Sequence, residues 1–370
     1  MAQYGKPRDL FLYEGISCIS FNKYFTKVAL SKKDNIIYIY SIKNLMNTDT
    51  WNLEYQLQVH EDSISGLDWN AHTNLLLSCS YDKNAFVWEY NGNYNKKWKG
   101  SGVIATTKLG YLCCKWNNRG DKFCLGTSGK QIFIGFFDNK TNWWMGKPLG
   151  KIENKFTVHQ SSVVCCEIDP TSLFVLSGST DLNVCVTSCY LPEIDDKFLD
   201  DKTKPLAREF GTIIYAFRPG SWINAISWNK SGSLGFAAAQ NSSIVVINHK
   251  ENKTDVIKCN HPPVTLIVSN EDNSFLAVCY DRNILEYEKK GDKWEIKKTI
   301  TNDQGKKGSG SVLEKINKLK APEKLKQKTK LLVTTKKNPH LHQSLISSLS
   351  IKGNDIITTD IGGFVKYWTL

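Results

Sequence analysis

Residues 60–88 decide the fold, and they read HEDSISGLDWNAHTNLLLSCSYDKNAFVW. His60 opens the stretch, and two short runs rich in apolar residues follow it, Ile64–Trp69 and Leu75–Ser80. Asp82 lies in a polar turn, after which a third run ends at Trp88. Short apolar runs bounded by turn residues are typical of β-strands joined in sequence. The stretch therefore predicts an antiparallel sheet whose marker residues are His60, Asp82 and Trp88.

Weaker copies of this pattern recur six more times along the 370 residues and keep its phase. Asp34, Asp181 and Asp281 take the turn position of Asp82, and Trp368 closes the last unit. The other units begin near residues 16, 111, 159, 222, 261 and 345. Units of about 40–45 residues with four strands each build β-propellers, in which blades stack around a central axis. We therefore predict an all-β fold, a seven-bladed propeller that spans residues 1–370 as a single domain.

The order of histidine, turn aspartate and terminal tryptophan resembles the WD repeat (WD40). The resemblance implies that the aspartate accepts hydrogen bonds that hold the turn, and that the final aromatic residue packs between blades. Gln131 and Gly362 stand where this pattern expects an aspartate, so we expect weaker turn bonding in those two blades. Asn241 is a partial substitute in the fifth blade.

Closure of the ring requires an outer strand for the last blade. The seventh unit reaches Leu370 with only three predicted strands. An open ring would leave unpaired strand edges. We predict that Leu10–Tyr13, near the N-terminus, supplies the missing strand.

The net charge of +12 is concentrated in one segment. Between Lys289 and Lys337 there are 16 Lys and 5 acidic residues, which leaves about +1 for the rest of the chain. Residues 303–340 form a predicted basic insertion between the sixth and seventh blades. Ser311 and Glu314 fit a helix capping box, and Pro322 follows the apolar run, so a short amphipathic helix is expected between them.

This predicted helix is the candidate partner-binding site. Its apolar residues recur at helical spacing and lysines flank them, and the site consists of Val312, Leu313, Lys315, Ile316, Lys318 and Leu319. Such a stripe suits a groove on another protein. In the alternative interpretation the segment folds onto its own propeller or stays disordered. The lysines also suit anionic lipid or nucleic acid, but they lack interleaved aromatic and arginine residues, so no specific nucleic-acid binding is predicted.

The sequence contains no motif that predicts catalysis. It has no G-x-S-x-G, H-E-x-x-H or P-loop, and Gly126–Lys130 falls between two strands, without a helix to bind phosphate. His340 and His342 are expected in a solvated loop, and Asp195 and Asp196 in a hydrated one. The 11 cysteines are scattered without a metal-ligand spacing and are expected to be reduced and buried. We therefore predict a protein that is not an enzyme and has no cofactor or metal.

The sequence predicts neither a membrane span nor a signal peptide. No apolar run reaches the ~18 residues that span a membrane, and Met1–Asp9 lacks the apolar stretch of a signal peptide. The predicted location is the cytoplasm or the nucleus.

Several stretches resemble the WD-repeat subunit 1 family of the actin-related protein 2/3 complex, which nucleates branched actin filaments. Phe136–Trp144 carries a double tryptophan after the third blade, where that family has one, and 314–319 occupies the position of the family's projecting helix. Weaker matches are residues 16–18, 82–88, 113–123 and 185–193.

The resemblance implies a non-catalytic scaffold associated with the cytoskeleton, with a nuclear pool possible. Its expected partners are small helical subunits, actin-related proteins, the actin filament and the acidic tails of activators. The alternative is a WD-repeat adaptor of another multiprotein assembly.

Overall fold

A computed structural model describes most of the chain. The described residues are 8–11, 15–45, 47–92, 97–150, 158–200, 204, 208–269, 271–300, 342, 344–352 and 355–369. They contain 28 strands, one short α-helix and two 3-10 helices. The α-helix, α1, spans Pro192–Asp195, and the 3-10 helices span Thr48–Thr50 and Asp196–Phe198.

The strands form seven antiparallel blades of four strands each. Blade 1 contains β2 (Cys18–Phe21), β3 (Lys27–Ser31), β4 (Ile37–Ile42) and β5 (Trp51–Leu57). Blade 2 contains β6 (Ile64–Trp69), β7 (Leu76–Ser80), β8 (Ala85–Asn91) and β9 (Lys97–Ile104). Blade 3 contains β10 (Tyr111–Trp116), β11 (Lys122–Thr127), β12 (Ile132–Asp138) and β13 (Trp143–Pro148). Blade 4 contains β14 (Val163–Ile168), β15 (Phe174–Ser179), β16 (Val184–Ser188) and β17 (Ile213–Phe217).

The remaining blades follow the same order. Blade 5 contains β18 (Ile223–Trp228), β19 (Gly235–Ala239), β20 (Ser243–Asn248) and β21 (Lys253–Lys258). Blade 6 contains β22 (Val264–Val268), β23 (Ser274–Cys279), β24 (Ile284–Lys290) and β25 (Lys293–Ile300). Blade 7 contains β26 (Ile346–Lys352), β27 (Asp355–Asp360), β28 (Phe364–Thr369) and β1 (Arg8–Phe11). The predicted all-β propeller is confirmed.

The N-terminal segment completes the last blade. β1 pairs antiparallel with β28, with Arg8 opposite Tyr367 and Phe11 opposite Phe364. Residues 12–13 of the predicted strand lie outside the described residues. The ring therefore closes by pairing of two segments from opposite ends of the chain, which leaves blade 7 without an unpaired outer edge on β28.

The hydrophobic core lies between blades. Each of seven buried clusters combines side chains from two neighbouring blades. In one of them Trp69 and Trp88 of blade 2 pack with Ala29 and Ile39 of blade 1. Every blade thus buries both of its faces. This explains why all residues of strands such as β7 and β15 are apolar or small, and why apolar and polar residues do not alternate there.

The innermost strands are also linked by side-chain hydrogen bonds. In several blades the side chain of the residue before the last residue of the inner strand accepts a hydrogen bond from a backbone N–H of the next blade. Ser20 Oγ accepts from Trp69 N at 2.9 Å, and Asp68 Oδ2 accepts from Trp116 N at 2.7 Å. These strands line a central channel of about 770 Å³, into which Lys115 extends and pairs with Asp68 at 3.2 Å.

Blades 2 and 3 share one continuous eight-stranded sheet. Their outer strands β9 and β13 pair in parallel, with Trp144 opposite Val103. Trp144 packs edge-on against Trp116 at 5.5 Å between ring centroids, whereas the adjacent Trp143 is 52% exposed. The double tryptophan therefore supplies one core residue and one surface residue.

All 11 cysteines are free thiols. No helix among the described residues is long and apolar enough to cross a membrane.

Candidate partner-binding surface

The predicted marker residues form a hydrogen-bonded chain in blade 2. His60 Nδ1 lies 2.9 Å from Asp82 Oδ2, and its Nε2 lies 2.8 Å from Ser78 Oγ. Trp88 Nε1 donates to the same hydroxyl at 2.9 Å. Burial, partly offset by Asp82, lowers the pKa of His60, so its ring is neutral at pH 7. Burial opposes ionisation of Asp82, but backbone donors at Glu61 and Asn84 and the His60 ring outweigh it and lower the pKa of that carboxyl.

Blade 4 repeats this arrangement with one change. His159 pairs with Asp181 at 3.1 Å and with Ser177 Oγ at 2.9 Å. The position of Trp88 is taken by Thr187. Although burial opposes it, hydrogen bonds led by the His159 side chain and Gln160 N lower the pKa of Asp181 well below its ordinary value. The turn aspartate is therefore anionic in this blade as well.

Blade 7 contains a complete hydrogen-bonded arrangement of the same kind, which the sequence pattern did not predict. His342 Nδ1 lies 2.7 Å from Asp360 Oδ2, and its Nε2 lies 2.6 Å from Thr358 Oγ1. Trp368 Nε1 donates to Thr358 Oγ1 at 2.9 Å. The expectation of a solvated loop was wrong for His342, which is buried, while His340 lies outside the described residues.

The expectation of weak turn bonding at Gly362 was also wrong. Gly362 occupies the position of Asp82, but the carboxylate comes from two residues earlier, at the end of β27. Asp360 Oδ1 accepts a hydrogen bond from Phe364 N at 2.9 Å and so holds the turn. Side chains two residues apart in a strand lie on the same face of the sheet. Asp360 therefore reaches His342, the histidine that corresponds to His60 of blade 2.

The prediction for Gln131 was wrong by two residues. The strand pairing places Gly129, not Gln131, at the position of Asp82, and Gly135 at that of Trp88. Thr127 Oγ1 holds this turn by accepting from Gly129 N at 3.2 Å and Gln131 N at 3.1 Å. A Cβ atom on Gly135 would lie 2.0 Å from the Phe123 ring, so that ring takes the space that a terminal aromatic residue fills elsewhere.

The other predicted turn residues accept hydrogen bonds in their turns but do not pair with a buried histidine. Asp34 accepts from the Tyr38 hydroxyl at 2.9 Å, and Asp281 accepts from Asn283 N at 3.1 Å. His261 Nδ1 lies 3.8 Å from Asp281 Oδ2, and both side chains are about 30% exposed. Asn241 accepts from Ser243 Oγ at 2.6 Å. All the predicted aspartates hold turns, but the buried histidine pairing occurs only in blades 2, 4 and 7 of the described structure.

These turns and the connections between blades together form one face of the propeller, which we call the upper face. The turn of each blade contacts the incoming connection: Tyr81 N donates to Ser63 O at 3.2 Å, and Tyr280 N donates to Pro263 O at 3.0 Å. Large apolar side chains project from this face, each about half exposed, and they are Val59, Tyr81, Leu109, Trp222 and Tyr280. Exposed aromatic side chains are typical of protein interfaces.

Several turn tips of the upper face are basic. Four of its turns have a cationic residue in the left-handed backbone region, with φ between 61° and 73°, and these residues are Lys33, Lys83, Lys130 and Arg282. Glycine or asparagine is the usual residue in that conformation. Long cationic side chains at the turn tips, beside exposed aromatic rings, favour an acidic partner with apolar residues.

The described residues that flank the basic insertion, Ile300 and His342, lie on the upper face. β25 ends at Ile300, which pairs with Ile284 at the upper end of β24. The described chain resumes at His342, whose backbone oxygen accepts from Arg282 Nη1 at 3.0 Å. The predicted partner-binding residues Val312, Leu313, Lys315, Ile316, Lys318 and Leu319 lie outside the described residues.

The expectation that Asp195 is hydrated was wrong. Asp195 is fully buried and pairs with Lys122 Nζ at 2.7 Å and with Arg119. Lys122 Nζ also donates to the backbone oxygens of Ser172 at 2.6 Å and Cys189 at 3.1 Å. This network fastens α1 to blade 3, and neither partner is near Asp195 in sequence. Asp196 is exposed and accepts from the Tyr190 hydroxyl.

No group of three or more histidine, cysteine or carboxylate side chains that would hold a metal ion occurs in the described part of the chain.

Comparison with known proteins agrees with this architecture. A family model, "WD domain, G-beta repeat", matches residues 51–89 and 150–188, which contain the His60–Asp82 and His159–Asp181 pairs. Actin-related protein 2/3 complex subunit 1A-A of Xenopus laevis is 25% identical over 372 residues, covering 97% of this chain and 95% of that protein. The predicted resemblance to subunit 1 is confirmed.

Two further relatives come from other kingdoms. Actin-related protein 2/3 complex subunit 1A of Arabidopsis thaliana is 28% identical over 60% of this chain and 55% of its own length. Subunit 1 of Schizosaccharomyces pombe is 22% identical over 61% of this chain and 57% of its own length. The chain is a WD-repeat propeller similar to subunit 1 proteins of animals, plants and fungi.

Proposed function

We propose that the chain is a non-catalytic scaffold subunit of an actin-related protein 2/3 complex and supports nucleation of branched actin filaments. The observation that carries the proposal is the similarity to the Xenopus subunit, which extends over 97% of this chain and 95% of that protein. Similarity over a whole propeller includes its surfaces and connections as well as the repeat itself. The other subunits of the complex, including small helical subunits and actin-related proteins, are the proposed partners.

The upper face and the basic insertion form the proposed partner surface. Ile300 and His342, the described residues on either side of 301–341, lie on the face that carries Trp222, Tyr280 and the basic turn tips. The sequence of the insertion carries most of the positive charge of the protein. Acidic surfaces of the actin filament and acidic activator tails match this charge, which raises encounter rates and favours the correct partner. The proposed location is the cytoplasm and the cytoskeleton, with a nuclear pool.

Purification of the tagged full-length chain at moderate salt tests the proposal. We expect two actin-related proteins and small helical partners to co-purify at equal stoichiometry, as identified by mass spectrometry and densitometry. The untagged strain provides the control for non-specific capture. A different stable assembly in their place would contradict the proposal and identify the chain as an adaptor of that assembly.

The insertion is tested by the double substitution Ile316→Asp and Leu319→Asp. Two charges in the apolar stripe should abolish its burial against a partner, at a cost of about 1.5–3 kcal/mol per residue, without touching the blades. We expect the complex to assemble and the nucleation rate to fall at least ~10-fold in a fluorescent actin polymerisation assay.

Asn317→Asp is the matched control, since it adds a negative charge to the same predicted helix outside the stripe. It should retain most of the nucleation rate. Full nucleation by the double variant would contradict the role proposed for the insertion.

A further inference from the structure

A cavity between blades 4 and 5 has the features of a ligand site that the scaffold role does not use. It has a volume of about 330 Å³ and lies on the face opposite the upper face, beside the turn that joins β20 to β21. Its described lining residues are Phe174, Arg208, Ile214, His249, Lys250 and Asn252. This volume lies at the lower end of the range of small-ligand pockets, about 300–1,000 Å³.

His249 is the unusual residue of this cavity. It is 4% exposed, and neither of its ring nitrogens has a hydrogen-bond partner among the described residues. Its ring packs against Phe174 at 5.0 Å and Trp228 at 5.5 Å between centroids, which fixes its orientation. Buried polar atoms without partners are rare and costly, so an acceptor group that enters the cavity would satisfy the ring nitrogen that carries the proton.

The charges near His249 indicate which kind of ligand group the cavity would bind. Burial and, secondarily, the Lys250 cation lower the pKa of His249 to about 4, so the ring is neutral at pH 7 and keeps one N–H donor. Lys250 is exposed at the rim of the cavity, and Arg208 contributes a second cationic side chain to the lining. An acceptor with negative charge therefore fits the polar end, while Phe174 and Ile214 provide an apolar wall for a short aliphatic stem.

We propose that this cavity binds a carboxylate group on a short aliphatic stem, with His249 donating to the carboxylate and Lys250 balancing its charge. Two sources carry this chemistry, namely a free small carboxylate and a glutamate or aspartate side chain of a partner protein. The proposal is independent of the scaffold function, because it rests only on the geometry and the charge of the cavity between blades 4 and 5.

The test uses full-length protein with ¹³C-labelled histidine and propionate as the probe, at constant ionic strength. The His249 ring signal is assigned by its loss in His249→Asn. We expect it to shift saturably, with a Kd of the order of 1 mM, and the uncharged isostere propionamide to cause no saturable shift. Lys250→Met, an exposed substitution that should leave folding intact, should weaken propionate binding at least ~5-fold.

His72→Asn is the matched control, because His72 is exposed and lies far along the ring in blade 2; this variant should bind propionate normally. Absence of a saturable His249 shift, or an equal response to propionamide, would overturn the proposal. The same titration in the co-purified assembly separates the sources. A lost response identifies a partner carboxylate in the cavity, and a retained response identifies a free carboxylate as the ligand.

Discussion

At the scale of single residues, ionisable groups inside the propeller are held by several partners at once. Asp195 shows this most clearly, since Lys122, Arg119 and the Leu191 backbone N–H all bind its carboxylate. A buried charge is tolerated only when it is paired and hydrogen-bonded. Glu167, on the channel wall, is less well compensated. Burial raises the pKa of Glu167 to about 7, partly offset by Lys115 and reinforced by Asp68.

Glu167 should make stability depend on pH. Because its folded-state pKa lies above the unfolded value, the folded chain binds a proton that the unfolded chain releases between about pH 4.5 and 7. Its contribution to stability therefore falls as the pH rises through that interval and is constant above it. We expect Glu167→Gln to gain about 1–2 kcal/mol over wild type between pH 5 and 8, measured by urea unfolding.

The exposed Glu89 provides the control, and Glu89→Gln should follow the wild-type pH profile. A constant difference between Glu167→Gln and wild type across this range would contradict the assignment.

At the scale of elements, the unit of stability is the hairpin of the second and third strands together with the connection that crosses it. In blade 7 the hairpin β27–β28 is locked by Asp360, His342, Thr358 and Trp368. In blade 6 the corresponding histidine and aspartate are 3.8 Å apart and partly exposed. A histidine and an aspartate thus lock the hairpin of blade 7 more tightly than that of blade 6.

Asp360→Asn should therefore be far more damaging than the same change at Asp281. Asp360 is fully buried, and its replacement removes the oxygen that pairs with His342 Nδ1, so we expect a cost of about 2–4 kcal/mol in the free energy of unfolding. Asp281→Asn should cost under about 1 kcal/mol, since exposed pairs contribute little. Denaturant titrations of both variants measure this, and equal losses would refute the difference between the blades.

At the scale of the whole molecule, stability depends on closing the ring. β1 is the outer strand of blade 7, and both faces of every blade pack on neighbours, so an unpaired β28 would loosen blade 7 and the clusters beside it. Propellers bury little within a single blade, and their stability comes from neighbour contacts.

Deletion of residues 1–14 should lower the melting temperature by several degrees, which corresponds to a few kcal/mol for a chain of this size. Calorimetry of the truncated and full-length proteins measures the change. Deletion of residues 1–6, which precede β1, is the control and should melt like the full chain. Identical melting of the 1–14 deletion would show that β1 is dispensable for closure.

The sequence by itself determined the blade number, the N-terminal closing strand and the aspartate turns, because each depends on a local pattern of strand period and turn chemistry. The turn positions of Asp82, Asp181 and Asp281 follow directly from their spacing within the repeats. The tertiary structure alone decided which polar groups meet across blades. Asp360 in place of Gly362, the burial of His342, the Lys122–Asp195 pair and the unpartnered ring of His249 all depend on contacts between segments distant in sequence. Such contacts follow from the register and stacking of whole sheets, and no local pattern encodes them.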